Sequence, residues 1–147
     1  MANYDDPAQE EKWCEERRAE VTAYLKTEGV SHGRIGEWPA WHVAPYVSVW
    51  AIESAASPEW VGWWVICGDL PTDYVSADTV KHPRDAMHAI SKRWKEVSGY
   101  MGRGEKHPTI NIGSPDAWPT LGPLLSSRAE PLAKWANDDS AWEDEAP

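Results

Sequence analysis

The stretch that decides the fold runs from residue 46 to residue 67 and reads YVSVWAIESAASPEWVGWWVIC. Its first part, Tyr46–Ser54, and its last part, Trp60–Cys67, are rich in the β-branched and aromatic residues that favour strands. Ser57 and Pro58 between them are typical of a turn. The two runs therefore predict a β-hairpin. Because both alternating sets of side chains are apolar, each face of this hairpin must be covered by helices or by a partner.

Three helices are predicted around the hairpin. Asp6 and Pro7 are typical of a helix start, and the amphipathic segment that follows them ends at Gly29. The clearest helix opens at His82 and Pro83, and its apolar stripe has helical spacing: Met87, Ile90, Trp94, Val97 and Met101. A third helical region starts at residues 114–116 and carries the stripe Leu125, Ala129, Leu132 and Ala136, which Pro131 should kink or interrupt. These elements predict an α+β fold, with a small, mainly antiparallel sheet around the Trp-rich hairpin and about three helices packed on it.

The segments between these elements have less regular patterns. Residues 31–45 contain several Gly and Pro residues and two Trp, so we expect a long loop there. Residues 68–79 are predicted to be a polar connection. Residues 109–112 are predicted to form a short third strand.

Length and composition bound the class of protein. The chain has 147 residues, of which 41% are hydrophobic and 26% charged, so a single globular domain over residues 1–147 is predicted and global disorder is excluded. The acidic end, about residues 138–147, is expected to fray. The polar, acidic start, residues 1–11, does not resemble a secretory signal, and no apolar run could span a bilayer, so a cytoplasmic location is predicted.

Charge indicates the class of partner. The net charge is −10, and such an acidic domain repels nucleic acids and anionic membranes. Between residues 35 and 80 the chain has six acidic residues, no Lys or Arg, and six of its eleven Trp. If this span forms one face, that face is negative with apolar anchors. We therefore predict a basic protein as the partner.

Motifs of catalysis are absent from the sequence. Cys14 and Cys67 have no partner at metal-site or redox spacing, so both are expected to be free thiols. No phosphate-binding loop, zinc-protease or nucleophile-elbow pattern occurs. No metal, cofactor or catalytic residue is predicted from these motifs.

Candidate binding residues lie in and after the Trp-rich loop. They are Glu37, Trp38, Trp41 and His42 in the loop, Asp69, Asp73 and Tyr74 after the hairpin, and His82 and Arg84 at the start of the long helix. An Asp–His pair among them could transfer protons, and the same set could bind a metal. The alternative is structural, because Asp is common in turns and His82 before Pro83 fits a helix cap. For Arg84 the choice is between an anion site and an ion pair.

Three blocks of sequence resemble a known group of proteins. They are HGRIGEWPAWHVAPY from residue 32, GWWVICGDLPTDY from residue 62 and KHPRDAM from residue 81. They are similar to an uncharacterised bacterial family of single-domain proteins. The resemblance implies a bacterial, intracellular protein, and it implies no catalytic residue. The chain also resembles, in size, acidity and architecture, small immunity proteins that neutralise bacterial toxins.

These observations favour one function over another. The first is a non-catalytic protein-binding module, of the immunity type, that engages a basic toxin or enzyme through Trp38 and Trp41. The alternative is a small enzyme or ligand-binding protein that uses His42, Asp69, Asp73 and His82 beside a Trp-lined pocket. Convergence of those four residues would favour the enzyme, and an exposed acidic face with Trp at its centre would favour the binding module.

Overall fold

The predicted hairpin is the centre of an antiparallel sheet. The computed structural model describes residues 3–110, 112 and 114–145, except for the side chains of 143–145. The strands are β1 (His32–Ile35), β2 (Trp41–Val43), β3 (Val47–Ser54), β4 (Val61–Gly68) and β5 (Leu70–Ser76). The order across the sheet is β1-β3-β4-β5, and β2 pairs with β3 beside β1. The predicted α+β class is confirmed, and β3 and β4 are the two predicted strands of the hairpin.

Strand register assigns the side chains to two faces. Trp50 lies opposite Val65, and Ile52 lies opposite Trp63, so these four share one face. Val49 lies opposite Ile66 on the other face. Trp50, Val49, Val65 and Ile66 are all fully buried. Both faces of the hairpin are therefore buried, as its two apolar sets of side chains predicted.

Helix α1 (Pro7–Thr27) covers the face that carries Trp50. It begins as predicted, because the Asp6 carboxylate accepts a hydrogen bond from the Ala8 amide at 3.0 Å and Pro7 follows this cap. Val21 and Leu25 are fully buried and belong to one core cluster with Trp50, Ile52 and Val65. Gly29, with φ +67°, follows the end of the helix.

Two predicted connections are strands. The expected loop 31–45 contains β1 and β2, and the expected polar connection 68–79 contains β5. These predictions were wrong because β1 and β2 are only four and three residues long, and β1 pairs with β3 through an irregular register. Strand β5 shows no alternation of apolar and polar residues in its sequence. A polar residue, Asp73, takes a buried position, and the less buried Tyr74 contacts other aromatic rings on the opposite face.

The chain divides into two compact units, Met1–Ala86 and Met87–Pro147. The second contains most of helix α2 (Pro83–Gly102) and helix α3 (Trp118–Asn137). The predicted stripe of α2 is buried: Met87, Ile90, Trp94, Val97 and Met101. In α3 the predicted stripe is buried as well. Of the predicted kink or interruption at Pro131, the interruption does not occur, because the helix continues through this residue.

Within the second unit, α2 and α3 approach closely at one glycine. A Cβ atom on Gly122 would lie 3.2 Å from the Cβ of Met101. The segment after α2 differs from the prediction, because 109, 110 and 112 form no strand, while residue 111 lies outside the described residues. In the acidic end, Asp139–Glu145 is a 3-10 helix, and the buried Trp142 indole donates a hydrogen bond to the Trp135 carbonyl at 3.0 Å. Residues 146 and 147 of this end lie outside the described residues.

Candidate functional site

Trp38 lies in the short connection between β1 and β2. The backbone on either side of it is tied to β3, since the Gly36 amide donates to the Ala51 carbonyl at 3.1 Å and the Ala40 amide donates to Val49 at 2.8 Å. The Trp38 side chain is 47% exposed. The connection therefore presents a large apolar ring to solvent from a fixed stretch of backbone.

The His42 ring packs against the Trp38 ring. The two rings meet edge to face, with centroids 5.4 Å apart and planes at 89°. The imidazole stacks in turn on buried Trp13 of α1, at 6.3 Å and 27°, and its Nε2 lies 3.1 Å from the Glu10 Oε2. We call Trp38, His42, Trp13 and Glu10 the Trp38 cluster. Glu10 and Trp13 were not among the predicted residues, because they lie on successive turns of α1 and carry no sequence signal that links them to residue 42.

Register separates Trp41 and Asp73 from His42. Trp41 pairs with Val49, Val49 with Ile66, and Ile66 with Asp73, so Trp41 and Asp73 share a face. His42 pairs with Ser48, one residue away from Val49, and successive residues of a strand point to opposite faces. His42 therefore faces α1, while Trp41 and Asp73 lie on the opposite side of the sheet.

The acidic candidates and Tyr74 occupy different environments. Asp73 is buried, and its carboxylate accepts a hydrogen bond from the Tyr74 amide at 2.8 Å. Tyr74 packs edge-on against Tyr24 and Trp63 beside the core. Asp69 is the exposed residue between β4 and β5, and its amide donates to the Tyr46 carbonyl at 2.9 Å.

His82 lies beyond the other end of β5 from Asp69. Its Nδ1 accepts a hydrogen bond from the Arg84 amide at 3.0 Å, at the first turn of α2. His82 thus caps the helix, the structural alternative that the sequence left open. Strand β5 alone is about 20 Å long at the usual rise per residue. The structure therefore does not bring His42, Asp69, Asp73 and His82 together.

A second feature of the first unit is a groove of about 420 Å³ beside β1 and the turn between β3 and β4. We call it the hairpin groove. Its charged lining is Arg18, Arg34, Glu37, Glu53 and Glu59, and its exposed apolar lining is Trp60 and Val61. Trp60 is 73% exposed. Trp60 was not among the predicted binding residues because its sequence context predicted it as the start of the second strand, which begins one residue later.

The Glu53 carboxylate contacts residues on both sides of the groove. Its carboxylate accepts hydrogen bonds from the Glu59 amide at 3.1 Å and the Arg34 amide at 3.2 Å, and it lies 3.7 Å from the Arg34 guanidinium. The two amide hydrogen bonds, with the Arg34 charge, hold the pKa of Glu53 below its ordinary value of 4.5. The ionised carboxylate therefore links β1 to the hairpin turn.

This link should make stability depend on pH. A carboxylate with a depressed pKa in the folded state stabilises the fold above its unfolded pKa, and that contribution is lost as pH falls through the folded value. We expect Glu53→Gln to lower the free energy of unfolding at pH 7. The difference from the unmodified chain should shrink as pH falls below 4.5 and disappear below the lowered pKa of Glu53 in the folded state. Urea denaturation between pH 3 and pH 7 measures it. The control is Glu15→Gln, which removes an exposed carboxylate on α1; an equal pH profile for both variants would contradict the assigned role.

Nucleophile and metal chemistry find little support in the described residues. Both cysteines are buried free thiols, and burial raises the pKa of Cys14 and of Cys67 to about 11. A thiol with so high a pKa is a poor nucleophile near neutral pH. Within residues 3–110, 112 and 114–145, no three His, Cys, Asp or Glu side chains are placed so that they could hold a metal ion.

No helix in the described part of the chain is both long and apolar enough to cross a membrane.

Comparison with known proteins identifies a family. The model of a family described as a domain of unknown function, DUF4826, matches residues 7–142. Comparisons with curated proteins and with solved structures gave no match. The chain therefore belongs to the DUF4826 family, which agrees with the predicted membership of an uncharacterised single-domain family.

Proposed function

We propose that this member of the DUF4826 family is a non-catalytic protein-binding module of a bacterial cytoplasm, of the immunity type, whose partner is a basic toxin or enzyme. The observation that carries the proposal is the exposed Trp38 ring on its fixed support. Trp is enriched among the few residues that dominate binding energy at protein interfaces. A ring that is already held in place loses little conformational freedom when a partner covers it.

The contacts within the Trp38 cluster support this role because they hold the Trp38 ring in place. The His42 ring is fixed on one side by Trp13 and at Nε2 by Glu10, so Trp38 rests on a side chain that is itself held. Trp41 is only partly exposed and lies on the other side of the sheet from His42. Of the two predicted anchors, Trp38 is therefore the one that we propose for the interface.

The charge pattern supports a basic partner. Of the six acids in residues 35–80, Asp73 is buried and Glu53 is engaged with Arg34, whereas Glu37, Glu59, Asp69 and Asp78 are exposed. Glu37 adjoins Trp38 directly. With a net charge of −10, the protein attracts a basic partner over a distance, and this attraction weakens as salt screens it.

The alternative, a small enzyme or ligand-binding protein, has weaker support. It needs His42, Asp69, Asp73 and His82 in one place, and the sheet register puts His42 and Asp73 on opposite faces. What remains is the contact of His42 with Glu10. That pair could exchange a proton, but the described residues give it no group of three metal-ligating side chains, and the Cys14 thiol, whose charge interacts with Glu10, has a pKa raised to about 11.

The proposal is tested by capture and kinetics. We expect the immobilised protein to retain a basic protein from lysate of its host, and the purified pair to associate more slowly as salt rises. Trp38→Ala should weaken the complex by about 2 kcal/mol or more, mainly through faster dissociation, because it removes a central apolar anchor. Surface plasmon resonance measures both rates.

The matched control is Leu124→Ala, which removes an exposed apolar side chain from α3 in the other unit. This variant should bind like the unmodified protein. Equal affinity of Trp38→Ala and Leu124→Ala for the captured protein would refute the role of Trp38. A partner that the protein binds without inhibiting its activity would refute the immunity-type function.

A further inference from the structure

Trp60 combines a fixed backbone with an exposed side chain. Its amide donates to the Ser57 carbonyl at 3.1 Å, and its carbonyl accepts from the Ser54 amide at 2.8 Å. The preceding residue, Glu59, has φ +75°, and its amide is held by the Glu53 carboxylate. The indole is nevertheless 73% exposed, beside exposed Val61. The turn thus presents an exposed apolar side chain from a backbone that is fixed before any partner arrives.

The positive charges of the hairpin groove have partners within the described part of the protein, whereas two of its negative charges do not. Arg18 donates from Nε to the Gly36 carbonyl at 2.9 Å and from Nη2 to the Ile35 carbonyl at 3.0 Å. Arg34 is paired with Glu53. The carboxylates of Glu37 and Glu59, in contrast, make no hydrogen bond or ion pair with any other residue that the structure describes. The groove thus offers two unengaged negative charges beside an exposed indole.

We propose that the hairpin groove binds an arginine side chain, flanked by apolar residues, in a segment of the protein partner. This inference rests on the proposed function and names the chemistry that the partner presents. The guanidinium stacks on the Trp60 ring and pairs with Glu59 or Glu37. The flanking apolar residue packs on Val61.

Arginine fits this groove better than lysine does. Its planar guanidinium stacks on an aromatic face and donates two parallel hydrogen bonds to a carboxylate. The ammonium group of lysine is more strongly hydrated and loses more on entering a groove with an apolar wall. The groove is also open, so an extended segment can lie along it and place one side chain between the indole and the carboxylates.

The test uses a defined probe, the peptide Ac-Gly-Leu-Arg-Leu-Gly-NH2, added to the full chain labelled with ¹⁵N. We expect the peptide to shift the Trp60 indole N–H resonance and the amide resonances of residues 33–37 and 59–62, and to leave the rest of the spectrum unchanged. The same peptide with citrulline in place of arginine keeps the shape and removes the charge. Its Kd should be at least about fivefold higher.

Two variants separate the contributions. Trp60→Ala should abolish the shifts, and because the side chain is exposed the remaining spectrum should stay that of the folded protein. The double variant Glu37→Gln/Glu59→Gln should bind the arginine peptide with the Kd that the unmodified protein has for the citrulline peptide. Equal affinity for the two peptides, or shifts outside the hairpin groove, would overturn the proposal.

The peptide experiment and the capture experiment can fail independently of each other. If the arginine peptide does not bind while capture of a basic partner still depends on Trp38, the groove assignment falls and the binding function stands. If the peptide binds with the expected dependence on Trp60, Glu37 and Glu59, the groove assignment stands even where capture does not depend on Trp38.

Discussion

Trp94→Ala should lower the free energy of unfolding by about 3 to 5 kcal/mol, the usual cost of removing a fully buried Trp side chain. The indole of Trp94 is completely buried. It lies in the middle of the apolar stripe of α2, with Ile90 one turn before it and Val97 one turn after it. Truncation removes the apolar contacts of the ring and leaves a cavity that fixed helical neighbours cannot fill. Urea denaturation followed by circular dichroism gives the change.

The neighbouring residue provides the control. Lys95 is exposed on the same helix, so Lys95→Ala should change the free energy of unfolding by less than about 0.5 kcal/mol. The contrast between adjacent positions tests the register of the helix, which was predicted from spacing alone. A loss below about 1 kcal/mol for Trp94→Ala would show that position 94 does not face a packed interior.

The sequence was sufficient for the elements that repeat a pattern over many residues. The α2 stripe spans Met87 to Met101, and its helical spacing identified it. Both strands of the central hairpin were identified by long runs of β-branched and aromatic residues on either side of a turn. The short edge strands β1 and β2 could not be predicted in this way. Three or four residues do not establish a period, and their pairing with β3 depends on contacts distant in sequence.

The candidate site was harder to predict for a related reason. Trp41 and His42 are adjacent in sequence, as are Asp73 and Tyr74. Each pair lies in a strand where the sequence predicted a loop or a polar connection. Once these segments are strands, adjacent residues must point to opposite faces. The partners of His42 come from α1, and nothing in the spacing of Glu10 and Trp13 shows that this helix lies against residue 42.

Gly68 controls how β5 follows β4, and with it where Asp69 and Asp73 lie. Its φ of +143° is a conformation that side chains with a Cβ rarely adopt. A Cβ atom there would lie 2.5 Å from the Tyr46 carbonyl oxygen and 3.0 Å from the Val47 Cα. Both obstacles are backbone atoms, and the Tyr46 carbonyl already accepts a hydrogen bond from Asp69. Only a shift of the strands could relieve the clash.

We therefore expect Gly68→Ala to lower the free energy of unfolding by about 3 kcal/mol or more, from backbone strain and overpacking together. Gly29→Ala isolates the first of these causes. Gly29 also has a positive φ, +67°, but a Cβ atom there would meet nothing within 4 Å, so this variant should cost about 1 kcal/mol. Urea denaturation of both variants gives the comparison. Equal losses would mean that the β4–β5 turn can move away from Tyr46, so that the close approach at Gly68 does not fix the position of this turn.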